Sequence, residues 1–195
     1  MAAGILSKAT NIEEWLRSNS AHLPHGEQED DVILQQLKKD PVPLTSSCGR
    51  VLDAVSAVLG ICYERMYEGE PAMRLEAVAA NGKDVLKLQP KVKDNVVYTT
   101  ELVGRVFERR KVDAAGDLAF SAQQCLAEGL AQVAVDEAKR LGVDVVGFSG
   151  GVAYNEHITY GMRRFVEENK LRFAVHKFVP AGDGGVSFGQ AIAAG

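Results

Sequence analysis

Two glycine-bearing turns in the last third of the chain carry the residues best suited to chemistry. They are Ser149-Gly150-Gly151 and Gly182-Asp183-Gly184-Gly185. Each follows a short apolar run and precedes a stretch that reads as helical. A strand, a tight turn and a helix in that order leave backbone N–H groups and the positive end of a helix dipole at one point. Such a point attracts anions, phosphate above all. Glycine lets the backbone approach a ligand where a Cβ would clash. Asn155, about one turn into the first helix, carries an amide that could reach back to the same ligand. Asp183 has two readings. An acid in a glycine turn is ordinary turn chemistry, but beside a phosphate-binding turn it is also a hard oxygen ligand for a nucleotide-bound divalent metal. The neighbouring turn favours the metal reading.

Upstream candidates are fewer. Gly49 and Asp53 are four apart and share one face near the start of a helix. There an acid either complements the dipole at the surface or contacts a ligand, and the surface reading is the simpler. Gly69 and Glu70 belong to the turn Tyr67-Glu68-Gly69-Glu70, with Pro71 suited to the first position of the next helix. His22 and His25 are spaced like a metal pair, but Pro24 and Gly26 interrupt any helix that would aim both one way, so an exposed linker is expected. His176 reads as a strand-face side chain.

The elements that must position these residues can be read from periodicity. Val143–Phe148 (VDVVGF) is a β-branched apolar run expected to be a strand buried on both faces. A helix is expected from Val152 to about Glu168, and a second strand over Arg172–Val179 that ends at Pro180. Two such turns at the carboxyl ends of neighbouring parallel strands define a ligand crevice. Earlier, residues 1–20 read as helical with Asn11 as an N-cap, 18–31 as a loop, and 31–39 as a short helix stopped by Pro41 and Pro43. Thr45, Ser46 and Ser47 offer caps for a helix running to about Leu59, with Gly60 as its stop. A helix over Ala72–Ala80 follows, then a hairpin from strands at Asp84–Leu88 and Val96–Thr100. Helices from Thr99 or Thr100 to Arg110, and from Asp113 or Ala114 to Arg140, complete the set, with Gly142 as the last stop.

The 195 residues suffice for a buried core in one large domain or two small ones. A hydrophobic fraction of 46%, a charged fraction of 25% and a net charge of −4 are ordinary for a soluble domain and give no reason to expect nucleic-acid binding. No apolar run approaches the ~18 residues of a membrane span, and the N-terminus lacks a signal-peptide layout. Cys48, Cys62 and Cys125 are odd in number and widely spaced, which fits reduced thiols in a cytoplasmic protein.

Four segments, in this order and at these spacings, resemble the HypF carbamoyltransferases: TSSCGRVLDAVSAVLGIC, MYEGEPAMRLEAVA, VVGFSGGVAYNEHI and AGDGGVSFGQA. They are similar to the C-terminal lobe of that family's Kae1-like domain, which is related to the transferases that make threonylcarbamoyl-adenosine in tRNA. The resemblance implies an α/β fold: one ribonuclease H-like, actin-like ATPase lobe with a mixed sheet, flanking helices and an inserted helical segment. It divides the chain into an N-terminal helical or linker segment, 1–42, and the lobe proper, 43–195. It implies ribose contacts from Asp53 and the Gly69–Glu70 turn, with Gly49 also among the nucleotide-binding residues. Gly150 and Gly151 would lie against phosphate, with Ser149 also nucleotide-binding, Asn155 would bond the nucleotide or acyl group, and Asp183 would be the metal ligand. The implied cofactors are ATP, or AMP and carbamoyl-adenylate, with a divalent metal of magnesium or iron/zinc type. The whole enzyme would pass a carbamoyl group to a HypE-like acceptor in nickel–iron hydrogenase maturation.

This sequence departs from that pattern in several places. No HHxxH-like metal cluster is present, Arg74 stands where an acid is frequent, and Phe120-Ser121 stands where Phe-His is expected. The chain therefore reads as one lobe of a two-lobed enzyme, inactive alone, whose lobe-facing surface could otherwise drive a homodimer. A stand-alone interaction or regulatory protein on the same fold, or half of an acyl or sugar kinase, are the alternatives.

Overall fold

Helices dominate the described residues, 1–39 and 44–195 of a computed structural model, and the strands are few and short. The N-terminal half holds α1 (Ala2–Leu6), α2 (Glu13–Ser18), α3 (Glu27–Leu37), α4 (Cys48–Val58) and α5 (Glu70–Ala79). It continues with β1 (Lys91–Lys93), β2 (Val96–Tyr98), α6 (Thr100–Arg109) and α7 (Ala115–Leu141). The C-terminal part is β3 (Val145–Phe148), α8 (Glu156–Glu168), β4 (Arg172–Val175) and α9 (Val186–Ala194).

The 27-residue α7 is the spine. Its alanines, leucines, glutamines and glutamates are strong helix formers. It stops where Gly142 turns left-handed at φ 69°. The Val143 N–H reaches Ala138 O (3.0 Å) and the Gly142 N–H reaches Lys139 O (3.3 Å), which satisfies the last carbonyls. Leu118, Ala119, Ala122, Leu126, Ala127, Ala131 and Val135 form its buried stripe. α8 lies along that stripe, close enough that a Cβ on Gly161 would come within 2.9 Å of the Ala127 Cβ. Leu52, Val55 and Val58 of α4, Leu75 of α5, and Leu102, Val103 and Val106 of α6 join the same core. So do Leu6 and Ile12, which makes the first residues part of this packing.

Several expectations change. The run 1–20 is broken into α1 and α2, although the Asn11 side chain does accept from the Glu13 N–H (3.0 Å). The next helix starts earlier than Asp31, at Glu27; the stops assigned to Pro41 and Pro43, and the boundary between 42 and 43, lie outside the described residues. The hairpin forms, but its first strand is Lys91–Lys93 and not Asp84–Leu88. The Val85 and Leu86 N–H groups bond the Ser121 hydroxyl of α7 instead of a strand partner. Asp94 and Asn95 take φ 51° and 60°, the left-handed pair of a tight hairpin turn.

The expected mixed sheet is not formed among the described residues. β1 and β2 pair antiparallel in one sheet, and β3 and β4 pair parallel in another, from Val145↔Arg172 to Phe148↔Val175. Nor is β3 buried on both faces. Val146 is buried at 7% exposure, while Val145 on the opposite face is 37% exposed, because the helices cover only one side. No described helix is long and apolar enough to cross a membrane.

Candidate functional site

The parallel pairing of β3 with β4 brings the two glycine turns side by side. The Gly150 N–H donates to Ala181 O at 2.8 Å and the Ser149 hydroxyl donates to the same carbonyl at 3.2 Å. The Gly182 N–H donates to the Tyr154 hydroxyl at 3.1 Å. Gly150 sits at φ 101°, ψ 176°, a conformation open essentially to glycine alone. Each turn continues as one short 3-10 turn, Gly151–Tyr154 and Asp183–Gly185. Among the described residues the N–H groups of Gly151, Val152, Asp183 and Gly184 find no protein acceptor. Two pairs of unclaimed donors thus sit on adjoining turns, with open space at Gly150 and Gly151, and backbone donors of this kind suit an oxyanion.

The helix after the first turn does not contribute in the way expected. Asn155 is the N-cap of α8 and not a residue one turn inside it. Its side-chain oxygen accepts from the Ile158 N–H (2.8 Å), its amide nitrogen donates to Gln123 Oε1 (2.7 Å), and it is buried. Glu76 Oε1 accepts from the Glu156 N–H (2.7 Å). Burial pushes the Glu76 carboxyl above its usual range, against the pull of the backbone amides of Glu156 and His157. Protein groups therefore satisfy this helix end, and the donors left for a ligand belong to the turns.

Gly49 borders the first turn: a Cβ there would lie 3.9 Å from Val152 Cγ2. Ser47 caps the same helix, accepting from the Arg50 N–H at 3.3 Å. Asp53, a turn further along α4, is half-buried on a cavity of about 340 Å³ that Arg50, Arg65, Trp15, Tyr63 and Met1 also line. Burial raises the Asp53 carboxyl, and Arg50 and Arg65 oppose that rise. No residue of the two glycine turns lines this cavity.

Gly69 is left-handed (φ 79°) and caps α5. The Glu70 carboxylate is turned inward at 2% exposure, bonded to Arg74 (2.6 Å) and to the Met66 N–H (2.5 Å). Arg74 thus neutralises Glu70, and the pair fixes the shape of the Met66–Gly69 turn. His176, just past the end of β4, places Nε2 2.9 Å from the Ser149 hydroxyl. Gln123, Glu76 and His176 were not singled out as site residues by sequence, since each acts on a partner far along the chain.

The described residues do not assemble a complete set of metal ligands. Among the described residues no three His, Cys, Asp or Glu side chains cluster as ligands. Asp183 is exposed and supplies one oxygen donor at most from this chain. His22 stacks on Tyr63, with ring centroids 3.8 Å apart, instead of pairing with His25.

Residues 1–190 match the family model described as carbamoyltransferase, Kae1-like domain, second subdomain. A probable carbamoyltransferase HypF of Methanocaldococcus jannaschii is 42% identical over 157 residues, 80% of this chain and 20% of that protein. The chain belongs to the HypF family. The carbamoyltransferase HypF of Rhodobacter capsulatus is 35% identical over 160 residues, again covering 20% of that protein. HypF of T. kodakarensis superposes with a TM-score of 0.86 at 41% identity, over 99% of this chain and 26% of that one. Full-length HypF in its phosphate- and nucleotide-bound form superposes at 0.76 with 26% identity, over 94% of this chain and 25% of the other. The α/β architecture is that of the HypF Kae1-like domain, and the chain spans about a fifth of the HypF relatives it matches.

Proposed function

We propose that this chain is the nucleotide-binding lobe of a HypF-like carbamoyltransferase, with the phosphates of ATP or of carbamoyl-adenylate held across the two glycine turns. The observation that carries the reading is the shared carbonyl of Ala181. By accepting from both Gly150 N–H and Ser149 Oγ, it holds the turns together, beside Gly151, Val152, Asp183 and Gly184 amides that have no protein acceptor among the described residues. Oriented backbone donors need no reorganisation when charge arrives, which is the arrangement that adenylate chemistry calls for. The nucleotide-bound state of a HypF of the same fold supports this choice of ligand.

In this reading Ser149, Gly150 and Gly151 face phosphate, and Gly49 lets the nucleotide pass close to the start of α4. Asp53 takes the ribose hydroxyls. Gly69, Glu70 and Asn155 act by holding turns in place, as their inward bonds favour. Asp183 would lend one oxygen to a divalent metal whose other ligands come from outside these residues. The lobe proper would be a ribonuclease H-like unit beginning near residue 43. In the whole enzyme the carbamoyl group would pass from carbamoyl-adenylate to a HypE-like acceptor; this chain alone would bind and not turn over.

The exposed apolar side chains of this region favour a covering lobe. Val145, Phe178, Val186, Phe188 and Ile192 all stand open, with Phe178 at 98% exposure. Burying such side chains is worth about 1.5–3 kcal/mol each, so a complementary lobe, or failing that a second copy, has much to gain there. Calorimetric titration with ATP and AMP, with and without magnesium, tests the ligand assignment. Wild type should bind both weakly, and Gly151→Val and Asp183→Ala should each lose binding. Equal affinity in all three proteins would refute the site.

A further inference from the structure

We propose that His176 is a positioning residue for the phosphate-binding turn, a role that rests on the nucleotide reading above. The Ser149 hydroxyl has one hydrogen, and two acceptor-capable atoms lie within reach: Ala181 O at 3.2 Å and His176 Nε2 at 2.9 Å. The carbonyl can only accept, so both contacts are hydrogen bonds at once only when the hydroxyl donates to Ala181 O; a hydroxyl donating to Nε2 gives up the Ala181 contact. We assign the first pattern, in which Nε2 carries its own hydrogen and donates it to Ser149 Oγ, the Nε2–H form of the imidazole. Ala181 O also takes the Gly150 N–H at 2.8 Å. Imidazole, hydroxyl, carbonyl and glycine amide therefore form one chain of four groups across both turns. Its end at Gly150 immediately precedes the unclaimed N–H groups of Gly151 and Val152. Neither His176 nor Ser149 is buried, so packing does not hold them in register. The hydrogen bonds do. Without His176, the Ser149 hydroxyl can rotate off Ala181, which leaves the Gly150 N–H as the remaining bond to that carbonyl and the next two peptide planes less firmly set.

The test compares ATP with adenosine, which lacks the groups the turn would hold. His176→Ala should weaken ATP binding about 5–20-fold while adenosine affinity stays within twofold. His176→Gln, whose amide N–H can still reach Oγ, should recover most of the loss. Ser149→Ala should match His176→Ala, and the double variant should lose little more. A loss of ATP and adenosine binding in parallel would make His176 merely structural. An unchanged ATP affinity in His176→Ala would remove the role while leaving the nucleotide site standing. If wild type shows no preference for ATP over adenosine, the phosphate reading fails, and this role with it. Nitrogen NMR of the free protein checks the geometry without any ligand: neutral His176 should be the Nε2–H tautomer, and an Nδ1–H form would overturn the proposal.

Discussion

The helical body and the β3–β4–α9 region are built to different standards. In the body, Leu52, Leu75, Leu118, Val103 and Val106 are at 0–1% exposure, and α7 and α8 touch through small residues such as Ala127 and Gly161. In the other region Val146 is the one buried strand residue, and α9 buries nothing. Stability comes from the first region, and in the proposed reading the second supplies the ligand geometry. A site made of turn amides needs its backbone aimed correctly, and a few hydrogen bonds between turns achieve that without a core. The same arrangement leaves several apolar side chains exposed. Substitutions should therefore separate into those that unfold the chain and those that only disarm it.

The widest separation is expected between Leu118 and Ile192. Leu118→Ala should cost about 2–5 kcal/mol, since it opens a cavity between α7 and its neighbours. Ile192 is 68% exposed, so Ile192→Ala should stay within about 0.5 kcal/mol. Urea unfolding followed by circular dichroism reads both. Comparable losses would mean that α9 is packed far better than its exposure shows.

Asn155→Ala probes the seam between the regions. It removes the α8 cap and strips Gln123 Oε1 of its partner inside the core, for a loss of about 1–3 kcal/mol. If Asn155 were a ligand contact instead, urea stability would hold and ATP affinity alone would fall. Gly150→Ala should do the reverse of Asn155→Ala. A Cβ meets nothing there, but φ 101° strains any other residue by about 1–3 kcal/mol. The turn can relax locally at the expense of its amide directions. ATP binding should then drop at least tenfold, with the urea midpoint moving less than for Asn155→Ala.

Where interactions are local, the sequence was readable. The Ser47 cap, the left-handed stops at Gly60 and Gly142, the long apolar stripe of α7 and the strand–turn pairing at Ser149 and Asp183 all follow from neighbours within a few residues. Failures occurred where a distant partner decides. Val85 and Leu86 alternate like a strand, yet Ser121, some 35 residues on, claims their amides. Asn155 looked free for a ligand until Gln123, 32 residues earlier, engaged it. Glu76 meets Glu156 across 80 residues, and no pattern in either segment announces it. The burial of β3 was overestimated because an apolar run records that cover is wanted, not which chain supplies it.

The smallest expected effect concerns His157, at the junction of the two regions. Its ring stands edge-on to Phe120, with centroids 4.2 Å apart, and its Nε2 is buried without a partner among the described residues. Burial pushes the imidazole below its ordinary value, Arg164 adds to that, and Asp84 opposes it. The folded protein therefore resists a proton that the unfolded chain accepts near pH 6.5. Stability supplied by the neutral ring is fully present above that pH and declines as pH falls through the interval down to the lowered folded value. Replacing the ring by one that cannot titrate, as in His157→Phe, should flatten the pH dependence over that interval by a fraction of the wild-type slope, with the midpoint at pH 8 nearly unchanged. The unpartnered nitrogen makes the sign firm: a folded-state partner for the proton would raise the value, and stability would then increase on acidification. Urea midpoints of the two proteins at pH 5, 6, 7 and 8 distinguish these outcomes. A slope of the opposite sign would mean that α8 and the turn before it rearrange around a charged imidazole.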